Sequence, residues 1–196
     1  MARKKSIKLT AAQFNSHCDE IQSFLQAARS SLSDEQISWC YEYAIIRLYR
    51  EFEHLVLETL TGAINNDTAT ISETTGYAFP KHLTDEICEY LVIGTGYFDF
   101  KGRDGLVKII KKYIPDSHYL LKIIKNNVYK TTIEKLSALR NLATHKSVPA
   151  QKAALSAIGQ DRIGSSGSWL KRQDRFTEIV ATLKLLANEI QAMAPY

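Results

Sequence analysis

Three residues near the end of one apolar run have the types and spacing for phosphodiester chemistry. They are Arg140, Asn141 and His145, in the stretch LSALRNLATHKS at 136–147. A neutral imidazole can take the proton from a ribose 2′-hydroxyl, and a guanidinium can stabilise the charge gathering on the phosphate in the transition state. Asn141 and His145 are four residues apart and share a helix face, so the amide can hydrogen-bond one imidazole nitrogen and leave the other aimed outward. Arg140 and His145 are five apart, about 140° around an ideal helix axis. They meet on one phosphate only if the helix breaks between them or if a second chain completes the site. The other reading is an ordinary helix end, where cationic side chains oppose the negative end of the macrodipole.

Around these residues the charge is uneven. The net charge is +4, but residues 34–100 carry three basic and twelve acidic side chains, whereas residues 101–147 carry eleven basic and three acidic. The motif thus closes the most basic segment of the chain, which concentrates phosphate ligands unless the acidic helices neutralise it by packing beside it. Lys146, and the cluster Lys171, Arg172 and Arg175, have the charge to steer an RNA backbone; solvated helix ends explain them equally well. Glu51, Glu53 and His54 lie on one helix, and Glu51 is the candidate for a carboxylate that tunes Arg140 or His145. His17, His82 and His118 are scattered without acidic partners at ligand spacing, so no metal site and no cofactor is expected. Ser165, Ser166 and Ser168 lack the strand-to-helix turn of a nucleophile elbow. Three scattered cysteines, Cys18, Cys40 and Cys88, suit a reducing cytoplasm rather than a disulfide frame. The basic N-terminus has no apolar stretch behind it, so a signal peptide is not expected, nor is a membrane span.

The elements that must position the motif read as helices throughout. Ser33 and Gln36 form a capping box, flanked by Leu32 and Ile37 as a hydrophobic staple. Tyr41, Ile45, Leu48, Phe52 and Leu55 then recur at three- and four-residue steps, predicting a long helix to about Gly62. An earlier helix at about 10–30 pairs with it, antiparallel. The stretch 64–82 reads as an exposed loop, and a short helix at about 84–93 follows. GYFDFKGRDG is expected as a turn with Tyr97, Phe98 and Phe100 packed down; its glycines lack the strand-then-helix context of a nucleotide fingerprint. Helices at about 104–114 and 116–126 flank Pro115. Thr131 and Glu134 form a second capping-box candidate, opening the helix that carries the motif. After Pro149 come a short helical piece, a Gly/Ser loop with basic residues, and a last helix at about 171–192. The GSSG in that loop resembles a phosphate clamp, but no βααβ pattern surrounds it.

RNLATH, placed after this helix in an all-helical chain, resembles the R-x(4–6)-H hallmark of the HEPN superfamily. LYREFEHLVLE on the long helix, GYFDFKGRDGL and GSWLKRQDRF add a resemblance to the HEPN branch named for its association with ribonuclease-L-PSP-type proteins. The likeness spans roughly residues 35–192. It divides the chain into an N-terminal helical extension, 1–34, and a HEPN-like domain, 35–196. The fold implied is an all-α bundle built on a long antiparallel helix pair with shorter helices packed across it. The activity implied is a metal-independent endoribonuclease leaving 2′,3′-cyclic phosphate and 5′-hydroxyl ends, in toxin–antitoxin or anti-phage defence. Arg140 would hold the phosphate, His145 would be the base or acid, and Asn141 would orient the histidine. The partners implied are RNA, a second copy completing the cleft, and an antitoxin or other defence protein. Toxins of this kind that are modified by a nucleotidyltransferase antitoxin often carry a tyrosine two residues after the histidine; here that position is Ser147, which puts the paired arrangement in doubt. The alternative implied is a non-catalytic HEPN module that binds RNA or nucleotide or docks onto a larger complex.

Overall fold

Ser33 and Gln36 do cap a helix: the Gln36 amide donates to Ser33 Oγ at 3.3 Å, and the Ser33 amide donates to Gln36 Oε1 at 2.9 Å. The computed structural model describes residues 6–195, and the described residues form ten α-helices and no strand. They are α1 (Ile7–Arg29), α2 (Asp34–Asn66), α3 (Ala69–Thr75), α4 (Asp85–Ile93), α5 (Gly102–Ile110), α6 (Tyr119–Lys125), α7 (Asn127–His145), α8 (Val148–Ile158), α9 (Ser166–Leu170) and α10 (Arg175–Met193). The protein is all-α. No helix among the described residues is long and apolar enough to cross a membrane.

Helices α1 and α2 form the expected antiparallel pair. Down the seam, Phe14 packs edge-on to Phe52, His17 meets Glu51, Glu20 meets Arg47, and Arg29 meets Tyr41. Helix α10 lies antiparallel along α1, where Lys184 pairs with Asp19 and Asn188 bonds Asn15, and it also meets α2, where Phe176 packs edge-on to Tyr41. The apolar stripe of α1, including Phe14, Cys18, Ile21 and Leu25, is buried in the same core as α2, α7 and α10. The segment read as an N-terminal extension therefore shares the core of the rest.

Four expectations are corrected. Helix α2 does not close at Gly62 but runs on to Asn66. Gly62 instead admits the side chain of Ile7, which lies 3.1 Å from where a Cβ would stand. The stretch 64–82 is not loop throughout: it contains α3, whose Ile71 is buried, closed by Gly76 in the left-handed conformation. Phe98 and Phe100 pack down, but Tyr97 is 95% exposed. The Thr131–Glu134 box does not start α7. Asn126 caps it, accepting from the Val128 amide at 3.1 Å, while Glu134 accepts the Arg103 amide at the start of α5 at 2.9 Å. A carboxylate at that helix N-terminus complements the macrodipole.

Candidate functional site

Helix α7 carries the motif because Tyr129, Ile133, Leu136, Leu139 and Leu142 recur at helical spacing and are buried against the core. It is unbroken from Asn127 to His145 and closes at Lys146, which adopts φ 45°. Of the two ways to bring Arg140 and His145 together, a break in the helix is therefore removed. On an uninterrupted helix they stand about 140° apart.

Arg140 is held firmly. Its guanidinium carbon lies 4.5 Å from the centre of the Tyr49 ring, and Nη1 donates to Asn141 Oδ1 at 2.9 Å. Tyr49 is buried and stacked on Phe100 at 5.0 Å between ring centres. Its hydroxyl donates towards Asp99 Oδ1 at 2.9 Å and the Phe100 carbonyl at 3.0 Å. Burial, reinforced by the charges of Glu53 and Asp99, pushes the Tyr49 hydroxyl well above its ordinary range, so it stays a donor. One turn along α2 from Tyr49, the Glu53 carboxyl is pushed up to about 7, chiefly by burial; the Arg140 charge pulls the other way and Asp99 adds to the rise. Glu53 Oε1 is buried without a hydrogen-bond partner.

His145 is exposed in the last turn of α7 and has no hydrogen-bond partner among the described residues. Asn141, expected to orient it, is turned to Arg140 instead. The neutral Asn141 amide offers its oxygen to the neighbouring guanidinium, a charged donor, rather than to the imidazole one turn on. Asn141 also lines a cleft of about 600 Å³ between α7, α8 and the start of α5, together with Lys101, Lys130, Glu134 and several alanines.

The remaining candidates divide. Glu51 does not face the motif: Oε2 lies 2.7 Å from His17 Nδ1 and Oε1 lies 3.8 Å from Arg47 Nε, both on the α1 side. The carboxylate that answers Arg140 is Glu53, four residues after Tyr49 on the face of α2 that meets α7. That i, i+4 pairing of a tyrosine and a glutamate in LYREFEH was the available signal. Lys171 is not free for RNA. It is 9% exposed and donates to Asp34 Oδ2 at 2.6 Å, the Asp34 carbonyl at 2.9 Å and Ser38 Oγ at 2.9 Å. Lys146 is 71% exposed and 3.7 Å from Glu42 of α2. Arg172 is exposed. Ser147 has a structural role, capping α8 by accepting from the Ala150 amide at 3.4 Å. The GSSG segment opens α9, where a Cβ on Gly167 would run into the Ser38 carbonyl of α2. Close helix approach accounts for that glycine.

Taken together, the class defined by fold and site is an all-α protein with an arginine locked beside a buried tyrosine and an unpartnered histidine at one helix end. Comparison with protein-family models, with curated proteins and with solved structures returned no match.

Proposed function

We propose that the chain is a metal-independent endoribonuclease whose active site is shared between two copies. The observation that carries this reading is how differently α7 holds its two candidate residues. Arg140 is fixed by ring stacking and an amide, as a transition-state clamp must be, while His145 is exposed and unpartnered, as a proton-transfer group meeting substrate must be. In the reaction, His145 takes the 2′-hydroxyl proton and the 2′-oxygen attacks phosphorus. The P–O5′ bond breaks, and the proton is returned to the 5′-oxygen, leaving a 2′,3′-cyclic phosphate and a 5′-hydroxyl. Arg140 of the other copy holds the phosphate. The resemblance to the HEPN superfamily supports RNA as substrate, a cytoplasmic setting, and a role in toxin–antitoxin or anti-phage defence with a partner protein.

The test is cleavage of RNA in excess EDTA with the ends mapped. Wild type leaves cyclic-phosphate ends; His145→Ala and Arg140→Ala do not. Mixing the two inactive variants restores about a quarter of wild-type activity, because half of randomly formed dimers contain one intact composite site of two. Recovery of nothing, with the dimer intact, overturns the shared site. A second reading has its own observation: Asn141 points to Arg140, leaving the imidazole unoriented, which favours a module that binds phosphate without cutting. RNA retained by wild type, released by Arg140→Ala and never cleaved would establish it.

A further inference from the structure

A second basic site lies away from the Arg140 cluster, where α9 and the turn after it meet the loop following α8. A groove of about 700 Å³ there has Arg162, Arg172 and Arg175 in its walls and no aspartate or glutamate. It adjoins a hollow of about 390 Å³ that shares Trp169 and Arg175, adds Lys135 of α7, and has a single carboxylate, Glu178. None of the three arginines pairs with a carboxylate among the described residues. We infer that this groove binds the phosphate backbone of single-stranded RNA.

The arrangement favours phosphates over bases. Trp169 is only 8% exposed, and the Arg175 guanidinium carbon caps its ring at 4.5 Å. Arg175 Nη1 also donates to the Trp169 carbonyl at 3.2 Å, so this cation is positioned before any ligand arrives. The indole face is thus covered, and a nucleobase has no open ring to stack on. Arg162 and Arg172 are exposed, each offering a planar fork that matches phosphate oxygens. The turn that sets Arg172 and Gln173 in the wall is itself unusual: Gln173 and Asp174 are consecutive non-glycine residues at φ 54° and 52°. Backbone of this kind persists only where its surroundings enforce it. Arg172 also acts on Asp34, but among the described residues no carboxylate lies within ion-pair distance of the three arginines, and the excess positive charge in the groove favours an anion.

The length of the feature points to a strand rather than one phosphate, since two adjoining hollows carry cations from Arg162 to Lys135. Helix α9 is tied to α7 by Ser166 Oγ, which donates to the Leu139 carbonyl at 2.8 Å. Lys135 precedes His145 by ten residues, about 15 Å along α7. The choice of RNA rests on the function proposed above; the cluster of arginines without an ion-pair partner does not.

The experiment uses full-length protein carrying Trp39→Phe, which leaves Trp169 as the sole tryptophan of the two in the chain. The probe is a 2′-O-methyl RNA oligomer, which has no 2′-hydroxyl and cannot be cut. Saturable binding should change Trp169 fluorescence, and Arg162→Ala with Arg172→Ala should weaken it about tenfold or more and lower the log–log salt slope by about two. Arg162→Lys with Arg172→Lys keeps the charges and should keep most of the slope, separating phosphate contact from any loss of folding. Unchanged affinity and slope in the double alanine variant would overturn the proposal, as would binding of a free mononucleotide as tight as the oligomer. If unmodified RNA of the same sequence is bound but not cleaved in EDTA, the ribonuclease falls and this site stands.

Discussion

Arg140 and Tyr49 form a stacked pair across the α7–α2 contact, with the guanidinium carbon 4.5 Å from the ring centre. The ring is fixed below by Phe100 and at its hydroxyl by Asp99 and the Phe100 backbone. The pair therefore links the motif helix to the loop before α5. Tyr49→Phe keeps the ring under Arg140 and strands the hydroxyl's partners, so it should cost about 1–2 kcal/mol of stability and little activity. Tyr49→Leu removes the stacking face, and RNA cleavage should fall about 5- to 30-fold, the range a partly desolvated cation–π contact accounts for. Denaturant titration and single-turnover cleavage separate the two effects; equal activity in Phe and Leu variants counts against the clamp.

Glu53 gives the fold a pH dependence. Its carboxyl is pushed up to about 7 in the folded chain from an ordinary 4.5, mainly by burial. Between those values the folded state holds a proton that the unfolded chain has released, so stability declines as pH rises and the decline is complete above the folded value. Melting temperature of wild type relative to Glu53→Gln should therefore fall between pH 5 and pH 8. Arg140→Ala removes the charge that opposes the rise, and should move the transition to higher pH. A difference flat with pH would show that the carboxyl is better solvated than its burial implies.

Gly167 is where α9 meets α2. A Cβ there would strike the Ser38 carbonyl and crowd the Glu42 side chain. Gly167→Ala should destabilise by about 2–3 kcal/mol, as overpacking a close helix contact does. Urea unfolding measures it directly, and a loss within error of zero would mean that α9 can move away from α2 freely.

Lys171 and Arg172 are neighbours with opposite fates. Lys171→Ala removes three hydrogen bonds to Asp34 and Ser38 and should lower the urea midpoint of unfolding, without changing the salt slope of RNA binding. Asp34 is held below the usual carboxylate range by its hydrogen bond from Lys171 and then by that residue's charge. The pair's contribution is thus present above the ordinary carboxylate range and is lost as pH falls. A reduced salt slope with unchanged stability would reverse the assignment of Lys171.

Much of this protein follows from local residue order. The Ser33–Gln36 cap, the apolar steps of α2 and the stripe of α7 are decided within a few residues, because caps and helical periodicity are short-range effects. The placement of Arg140, Asn141 and His145 near the end of one helix was legible for the same reason. Which partners they take was not. Glu51 and Glu53 stand about 200° apart on α2, so only the packing of α1 on one side and α7 on the other decides that Glu53 answers Arg140 and Glu51 answers His17. The Thr131–Glu134 box is locally sound, yet Glu134 is drawn to the amide end of α5, which comes from 31 residues earlier in the chain. Lys171 turns inward because Asp34 and Ser38 lie beneath it, brought there by a contact spanning 137 residues. Spacing along a chain sets which face a side chain occupies; what waits on that face is set by helices distant in sequence, and only their packing brings them there.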